Sequence, residues 1–240
     1  MKSLKKCVTG FVSSALIFGV ASVASAAAPA DASIGYAQKA PVIDGKVDKA
    51  WSTAKLHKIE NFPAPTPGNK FTAPKDAADL SGSWKAMWDD KNLYILVQVT
   101  DNKKVKDIAP PKGDGIELYI DPDNSKDNGM GVNDSVWQLG YGSDKMAGWT
   151  GNNWATPDVK GAKFKQTDTD KGYIVEYAIP WKNVLGNKIG TYKKIGFDVM
   201  LNDNDDGKDK HAKLSWHSKS DDAWEKASLI GTVQLTGKKK

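Results

Sequence analysis

Nine tryptophans occur in the 240-residue sequence, and several of them lie next to acidic or amide residues. Trp149 and Trp154 belong to the stretch GWTGNNW, Trp216 belongs to SWHS and Trp224 belongs to DDAWEK. A tryptophan ring offers a flat apolar face with a hydrogen-bond donor at one edge. A sugar ring has an apolar C–H face and a rim of hydroxyl groups. This combination therefore favours carbohydrate binding, although tryptophan is also a common core residue.

The motifs of nucleophilic and metal-dependent hydrolysis are absent from the sequence. Neither a G-x-S-x-G elbow nor an H-E-x-x-H pair occurs, and the three histidines are His57, His211 and His217. Glycoside hydrolysis requires two carboxylates across the scissile bond, and Glu117 and Glu176 lie in predicted strands. Because no motif supports that pair, glycoside hydrolase is kept as an alternative, and the sequence predicts that the protein is not an enzyme.

Two loops are dense in side chains that carry oxygen ligands. The candidate ligands are Asp121, Asp123 and Asp127 in the first loop, and Asp203 and Asp205 in the second. Calcium takes about six to eight oxygen ligands from such groups, and the same residue types also form ordinary turns. The second loop is not an EF-hand, because its twelfth position is Lys213 and not glutamate. The sequence therefore predicts a structural calcium site in at least one loop.

Residues 1–26 have the layout of a bacterial secretory signal peptide. Three lysines within the first six residues precede an apolar stretch, and Ala24-Ser25-Ala26 resembles a cleavage site. The sequence therefore predicts export to the periplasm or out of the cell, with no membrane segment after cleavage. The single cysteine, Cys7, lies in this leader, so the mature chain contains no disulfide and no thiolate metal site.

The charge of the mature chain is close to neutral once the leader is removed. The whole sequence has 34 basic and 29 acidic residues, and every basic residue is lysine. Arginine supplies the bidentate fork that recognises phosphate and guanine. Its absence argues against nucleic acid as a partner.

Short apolar runs separated by turn residues predict strands along most of the chain. The predicted strands are 83–88, 93–100, 115–120, 135–141, 162–167, 173–179, 195–201, 212–217 and 229–235. Short helical turns are expected over 48–54 and 181–185, and the proline-rich stretch 61–82 is expected to be a long surface loop. The pattern predicts an all-β fold, an antiparallel β-sandwich or jelly roll, as a single domain over residues 41–237 after a tether at 27–40.

Six segments in order resemble carbohydrate-binding module family 9, the sugar-binding domain found attached to xylanases and as separate exported proteins. They are PVIDGKVDKAW from Pro41, WDDKNLYILVQVTD from Trp88, DGIELYID from Asp114, YAIPW from Tyr177, IGFDVMLND from Ile195, and Trp224 with GTVQL. The resemblance covers nearly the whole mature chain. It implies a calcium-containing β-sandwich.

In sugar-binding members of that family, two tryptophans enclose the terminal sugar and polar residues of the intervening strands hold its hydroxyl groups. The resemblance implies a carbohydrate-binding site formed by Trp224, Glu117, Gln138, Asp221 and Met200. Trp224 and Glu117 match the family, whereas Gln138, Asp221 and Met200 replace its arginine, asparagine and glutamine. The second tryptophan would fall near Pro111. Loss of one stacking face implies binding weaker by ~1–2 kcal/mol or a different sugar.

Trp149 and Trp154 are the candidates to replace that missing wall. The resemblance thus implies an exported, non-catalytic protein that binds an oligosaccharide or polysaccharide such as cellulose- or xylan-derived sugars. Separate polysaccharide-degrading enzymes are potential partners. The first alternative is an electron-transfer domain, because related sandwich domains hold b-type haem through a methionine and a histidine or lysine. Met200 would then be the methionine ligand.

Overall fold

The computed structural model describes residues 30–108, 110–151, 153–184 and 193–237. The predicted signal peptide lies outside these residues. Regular structure in the described part is almost entirely β. The strands are β1 Ala32–Tyr36, β2 His57–Ile59, β3 Leu80–Trp88, β4 Asn92–Asp101, β5 Gly115–Asp121, β6 Ser135–Gly140, β7 Ala147–Thr150, β8 Lys163–Thr169, β9 Gly172–Pro180, β10 Lys194–Asp203, β11 Ala212–Ser215 and β12 Gly231–Thr236.

Helical structure in the described residues is confined to short segments. The α-helix α1 spans Trp181–Val184, and 3₁₀ helices span Lys49–Thr53, Asp221–Trp224 and Ala227–Leu229. The predicted turns around 48–54 and 181–185 are thus found. No helix in the described ranges has the length and apolar character that a membrane crossing needs.

The strands form one curled sheet whose two halves pack face to face. The order along the sheet is β7-β6-β5-β10-β12-β1-β3-β4-β9-β8, with β11 also on β10 and β2 also on β3. Strand β1 runs parallel to both of its neighbours, and the remaining pairs are antiparallel. The predicted all-β sandwich is confirmed.

Alternation along the strands separates the core from the outer faces. Leu118 of β5 and Val199 of β10 point inward and share one apolar cluster with Val97 of β4 and Val175 of β9. Because successive side chains of a strand point to opposite faces, the next residue on each strand faces outward. Glu117 is one of these outward residues. Glu117 therefore lies on the outer face of the sheet formed by β5 and its neighbours β6 and β10.

The segment that the sequence assigns to a tether is part of the sheet where it is described. Residues 32–36 form β1, whose residues pair with Val233 to Thr236 of β12 on one side and with Met87 and Trp88 of β3 on the other. Ile34 is buried in the main core. The tether prediction is therefore wrong for these residues, because a five-residue strand gives only weak periodicity in a sequence.

The proline-rich segment 61–82 is mostly irregular, as expected, but it is fixed to the rest of the fold. Isolated bridges join Asn61 to Ser215, Ala64 to Ser220 and Thr72 to Ala212. Phe71 is buried, and its ring meets that of Phe62 edge-on. The loop therefore has a defined position against β11 and the segment that follows it.

Candidate functional site

A cavity of about 400 Å³ lies on the outer face of β5 and β6. It is lined by Thr66, Asn69, Pro111, Glu117, Tyr119, Gln138, Trp149, Lys210, Lys213, Asp221 and Trp224. Glu117, Gln138, Asp221 and Trp224 are thus brought together, although they come from separate parts of the chain. Of the five residues proposed for a carbohydrate site, only Met200 is outside this lining.

Strand register places the polar residues of the cavity. Glu117 of β5 lies directly opposite Gln138 of β6, and Lys213 of β11 lies opposite Asn202 of β10. Trp224 ends the 3₁₀ helix Asp221–Trp224, which begins where the Ser220 side chain accepts a hydrogen bond from the Asp222 amide. The aromatic residue is therefore held at the rim while the strands supply the floor.

Glu117 is the centre of the polar floor and is almost fully buried. Its carboxylate accepts hydrogen bonds from Tyr119 Oη at 2.5 Å, Gln138 Nε2 at 3.1 Å, Asn202 Nδ2 at 3.0 Å and Lys213 Nζ at 3.0 Å. Burial alone would raise the pKa of Glu117, but the charge of Lys213 and these hydrogen bonds lower it to about 2. Glu117 is therefore a fixed carboxylate at neutral pH.

Lys213 joins the two carboxylates of the cavity. Its ammonium lies 2.6 Å from Asp221 Oδ1 and 3.0 Å from Glu117 Oε2. Burial would lower the pKa of Lys213, and the charges of Glu117 and Asp221 outweigh that effect and raise it. Asn69 completes the arrangement by donating to Asp221 Oδ2 at 2.8 Å. The floor is thus a hydrogen-bonded ionic network.

Three tryptophans form an aromatic surface at the mouth of the cavity. Trp149 Nε1 donates to the Trp224 carbonyl oxygen at 3.4 Å, and the side chain of Trp224 is partly exposed. The ring of Trp154 lies 5.7 Å from that of Trp224 and 6.3 Å from that of Trp149. Trp154 is 55% exposed and does not line the cavity. Trp216, by contrast, packs against Trp84 at the edge of the core.

Sequence reasoning missed several lining residues. Tyr119, Lys210 and Lys213 were not proposed as site residues, and neither was Asn69 in the proline-rich loop. The short strand Ala212–Ser215 gives no local signal that sets Lys213 apart from the other lysines. No local pattern predicts that a loop residue 152 positions away contacts Asp221. Pro111, in contrast, lines the cavity at the position where the family resemblance placed the missing tryptophan.

Comparison with known proteins agrees with this fold. A family model described as "Carbohydrate family 9 binding domain-like" matches residues 43–238. The chain belongs to this family.

Relatives in the family come from larger enzymes. The chain is 34% identical over 200 residues to the exoglucanase XynX of Acetivibrio thermocellus, covering 82% of this chain and 16% of that protein. It is 33% identical over 199 residues to endo-1,4-beta-xylanase A of Thermoanaerobacterium saccharolyticum, again with 82% and 16% covered. The chain therefore spans about 16% of the length of these relatives.

A solved family 9 module has the same fold. The module from Caldicellulosiruptor kristjanssonii, in complex with cellotriose, superimposes with a TM-score of 0.69 at 21% identity, covering 87% of this chain and 95% of that one. A family 9 module from the same organism, in complex with glucose, gives a TM-score of 0.66 at 22% identity, with 86% of this chain and 97% of that one covered.

The structure does not support Met200 as a sugar contact. Met200 lies opposite Glu117 in the sheet and faces outward, but it has no exposed surface. It packs with Tyr119 and Val136 under Ala223 and Ile230 of the C-terminal segment. This proposed site residue is therefore corrected to a packing residue. The haem alternative loses its methionine ligand for the same reason.

The two strand glutamates lie in different environments. Glu176 is fully buried on β9, where its carboxylate accepts hydrogen bonds from Trp51 Nε1 and from the amide of Gly45, both at 2.8 Å. Glu117 belongs to the cavity on β5. Because neither Trp51 nor Gly45 lines that cavity, the structure offers no pair of Glu117 and Glu176 across one cleft.

A first acidic cluster includes two of the predicted metal ligands. Carboxylate oxygens of Asp121, Asp123 and Asp134 lie within 4.8 Å of one another. Asp134 Oδ1 is buried without a hydrogen-bond partner, and burial together with the charge of Asp121 raises the pKa of Asp134 to about 7. Asp127 lies outside this group of three, and Asp134 was not predicted. A buried carboxylate oxygen without a partner, next to two further carboxylates, fits a hard cation such as calcium.

A second acidic cluster surrounds Asp203. Its oxygens lie within 4.8 Å of those of Asp79 and Asp205 and, in a second combination, of Asp101 and Asp114. Both carboxylate oxygens of Asp203 are buried without a partner. Burial and the neighbouring negative charges raise the pKa of Asp203 to about 8. The donor set consists of oxygen atoms, so it also fits calcium.

Proposed function

We propose that the protein is a non-catalytic module that binds carbohydrate in the cavity described above. The observation that carries this proposal is the meeting of Trp224 with Glu117, Gln138 and Asp221 around one space of about 400 Å³. Such a site combines an aromatic face with fixed polar groups, which together orient a sugar ring. Membership of the family supports the same conclusion.

The ligand we propose is the end of a β-linked oligosaccharide or polysaccharide derived from cellulose or xylan. Solved family members hold cellotriose and glucose, and the relatives are named as an exoglucanase and xylanases. Trp224 would stack on the sugar ring, and Trp149 would supply apolar surface beside it. Gln138 and Tyr119 would meet hydroxyl groups at the floor.

The state of the carboxylates in the cavity supports a non-catalytic role. Glu117 is engaged in four hydrogen bonds, and Asp221 is paired with Lys213. A general acid or base must instead exchange a proton with its substrate. We further propose that residues 1–26 direct export to the periplasm or the cell exterior, where separate polysaccharide-degrading enzymes would share the substrate.

The first test is isothermal titration calorimetry with cello- and xylo-oligosaccharides. Replacement Trp224→Ala removes the stacking face at the rim, and we expect sugar binding to weaken at least about tenfold while the melting temperature changes little. Val42→Ala is the control, because Val42 is 55% exposed and does not line the cavity. Unchanged affinity in Trp224→Ala would contradict the assignment of the site.

We also propose that calcium stabilises the module without taking part in sugar binding. The first cluster would bind it through Asp121, Asp123 and Asp134, and the second through Asp203 with Asp205 or its other neighbours. The buried carboxylate oxygens without a hydrogen-bond partner, Oδ1 of Asp134 and both oxygens of Asp203, support this proposal, because buried negative charge is costly unless a cation compensates it.

A further inference from the structure

The ammonium group of Lys210 lies at the cavity without a hydrogen-bond partner among the described residues. The side chain is only 10% exposed, and Nζ lies 3.9 Å from Asp221 Oδ2. It also lies 4.6 Å from the centre of the Phe71 ring, on which the cation rests. A distance of 3.9 Å is too long for a hydrogen bond. Lys210 is thus a nearly buried cation at the cavity wall whose N–H donors make no hydrogen bond to a described residue.

The neighbouring carboxylates are held by donors other than Lys210. Glu117 already accepts four hydrogen bonds. Asp221 uses one oxygen for Lys213 and the other for Asn69. The ammonium of Lys210 is therefore not held by a hydrogen bond to either carboxylate at this wall of the cavity. Acceptor atoms of a bound ligand would supply such a bond.

The electrostatic position of Lys210 indicates which acceptor would bind best. Burial and the nearby charge of Lys213 lower the pKa of Lys210, and the charges of Glu117, Asp221 and Asp209 offset this only in part. Both effects disfavour its cationic form, and an anion placed beside it would oppose both. A hydrogen bond between an ammonium and a carboxylate is shorter and stronger than one to a neutral hydroxyl group.

We propose that the cavity accepts a sugar unit bearing a carboxylate, a uronate, and that Lys210 selects for this unit through an ion pair. This inference rests on the proposed carbohydrate binding and adds a substrate class to it. Lys213 is not the selecting residue, because both of its carboxylate partners are already within hydrogen-bond distance. Lys210 is a specificity-determining residue at the wall of the same cavity.

The test compares D-glucose with D-glucuronate, which differ only at C6, by calorimetric titration of the full chain. We expect glucuronate to bind at least ~5-fold more tightly, with a preference that shrinks as sodium chloride is raised. Replacement Lys210→Met keeps the apolar stem over Phe71 and removes the charge. It should reduce the glucuronate affinity to that of glucose. Lys210→Gln, which keeps a hydrogen-bond donor without the charge, should also abolish the preference.

The control is Lys112→Met, because Lys112 is exposed and makes only a 3.9 Å ion pair with Asp209. This variant removes one positive charge near the cavity and should keep the preference. Equal affinity of the unchanged protein for both sugars would overturn the role of Lys210 and leave the proposed function standing. If Lys112→Met lost the preference for glucuronate as fully as Lys210→Met, the role of Lys210 would also be overturned. Absence of binding to either sugar and to cello-oligosaccharides would instead overturn the proposed function itself.

Discussion

The ammonium of Lys213 lies 2.6 Å from Asp221 Oδ1, and both side chains are at most 3% exposed. This contact joins β11 to the 3₁₀ helix that ends at Trp224. Through Glu117 the same ammonium is also joined to β5. The rim that carries the aromatic residue is therefore tied to the floor by one buried cation.

Replacement Lys213→Met should strongly destabilise the protein. It leaves two buried carboxylates without their cation, and removal of one partner from a buried ion pair costs about 3–5 kcal/mol. Denaturant unfolding monitored by tryptophan fluorescence measures this loss. The matched control is Lys58→Met, because the Lys58–Glu60 pair is 4.0 Å apart and mostly exposed. That control should change the free energy of unfolding by less than about 1 kcal/mol, and equal losses in the two variants would contradict the prediction.

The stabilisation contributed by Glu117 should depend on pH in the acid range. Its pKa is about 2 in the folded protein and near 4.5 ordinarily, so the folded state holds the carboxylate ionised more strongly. The contribution is then complete above about pH 5 and is lost as the pH falls towards 2, with a size of about 3 kcal/mol. Glu117→Gln removes the titrating group. The difference in unfolding free energy between Glu117→Gln and the unchanged protein should therefore become smaller as the pH falls from about 5 towards 2. A difference that stays constant over this range would refute the predicted contribution of Glu117.

Trp154 should contribute more to the affinity for longer oligosaccharides than to the affinity for glucose. It lies beside Trp224 but outside the cavity lining, so it could contact a second sugar unit and not the first. Trp154→Ala is expected to weaken cellotriose binding ~2–10-fold while glucose binding changes less. Calorimetry with both ligands measures the ratio. An equal loss for the two sugars would place Trp154 at the first sugar instead.

Removal of calcium should lower the melting temperature. A ligand that binds only the folded state at 100 times its dissociation constant adds about 2.7 kcal/mol of stability. Chelator treatment followed by calcium addition should reverse the change. Asp134→Asn and Asp203→Asn should each reduce the rise in melting temperature that calcium produces. The control is Asp170→Asn, at an exposed turn residue, which should leave that rise unchanged. A melting temperature that does not respond to calcium would contradict the proposed sites.

Calcium affinity should also rise with pH between about 6 and 9. The carboxyl groups of Asp134 and Asp203 have pKa values of about 7 and about 8 without metal, so protons compete with the cation. Titrations at several pH values, in buffers of different ionisation enthalpy, would reveal the released protons. Affinity that is independent of pH would show that neither carboxylate is a ligand.

Much of the fold could be predicted because alternation and turn residues are local signals. The strand with Leu93 to Thr100 and the hairpin around Asp170 appear in the structure with ends shifted by one or two residues. Strand β7 was not predicted, since its four residues contain two glycine or alanine positions and only one large side chain. Short strands acquire their structure from their neighbours, and this information is not local.

The site was predicted only as far as the family resemblance extends. Glu117, Gln138, Asp221 and Trp224 meet as expected. The prediction that Met200 contacts the sugar was wrong, because the segment with Ala223 and Ile230 covers this side chain. A strand pattern shows which face a residue occupies but not what lies above that face. Lys213 and Asp134 were missed for a related reason. Their importance arises from ionic neighbours that are distant in the sequence.

The position of β1 between β12 and β3 affects how the chain can fold. Residues of β1 and β12 that pair in the sheet are separated by about 200 positions, as in the pair of Ala32 and Val233. Contacts of such long range are slow to form. The two halves of the sheet cannot be joined until the last strand has been synthesised, so a nascent chain that ends before Gly231 would expose unpaired edges on β1 and β10. Chaperone protection during synthesis is therefore expected to matter more for this protein than its size suggests.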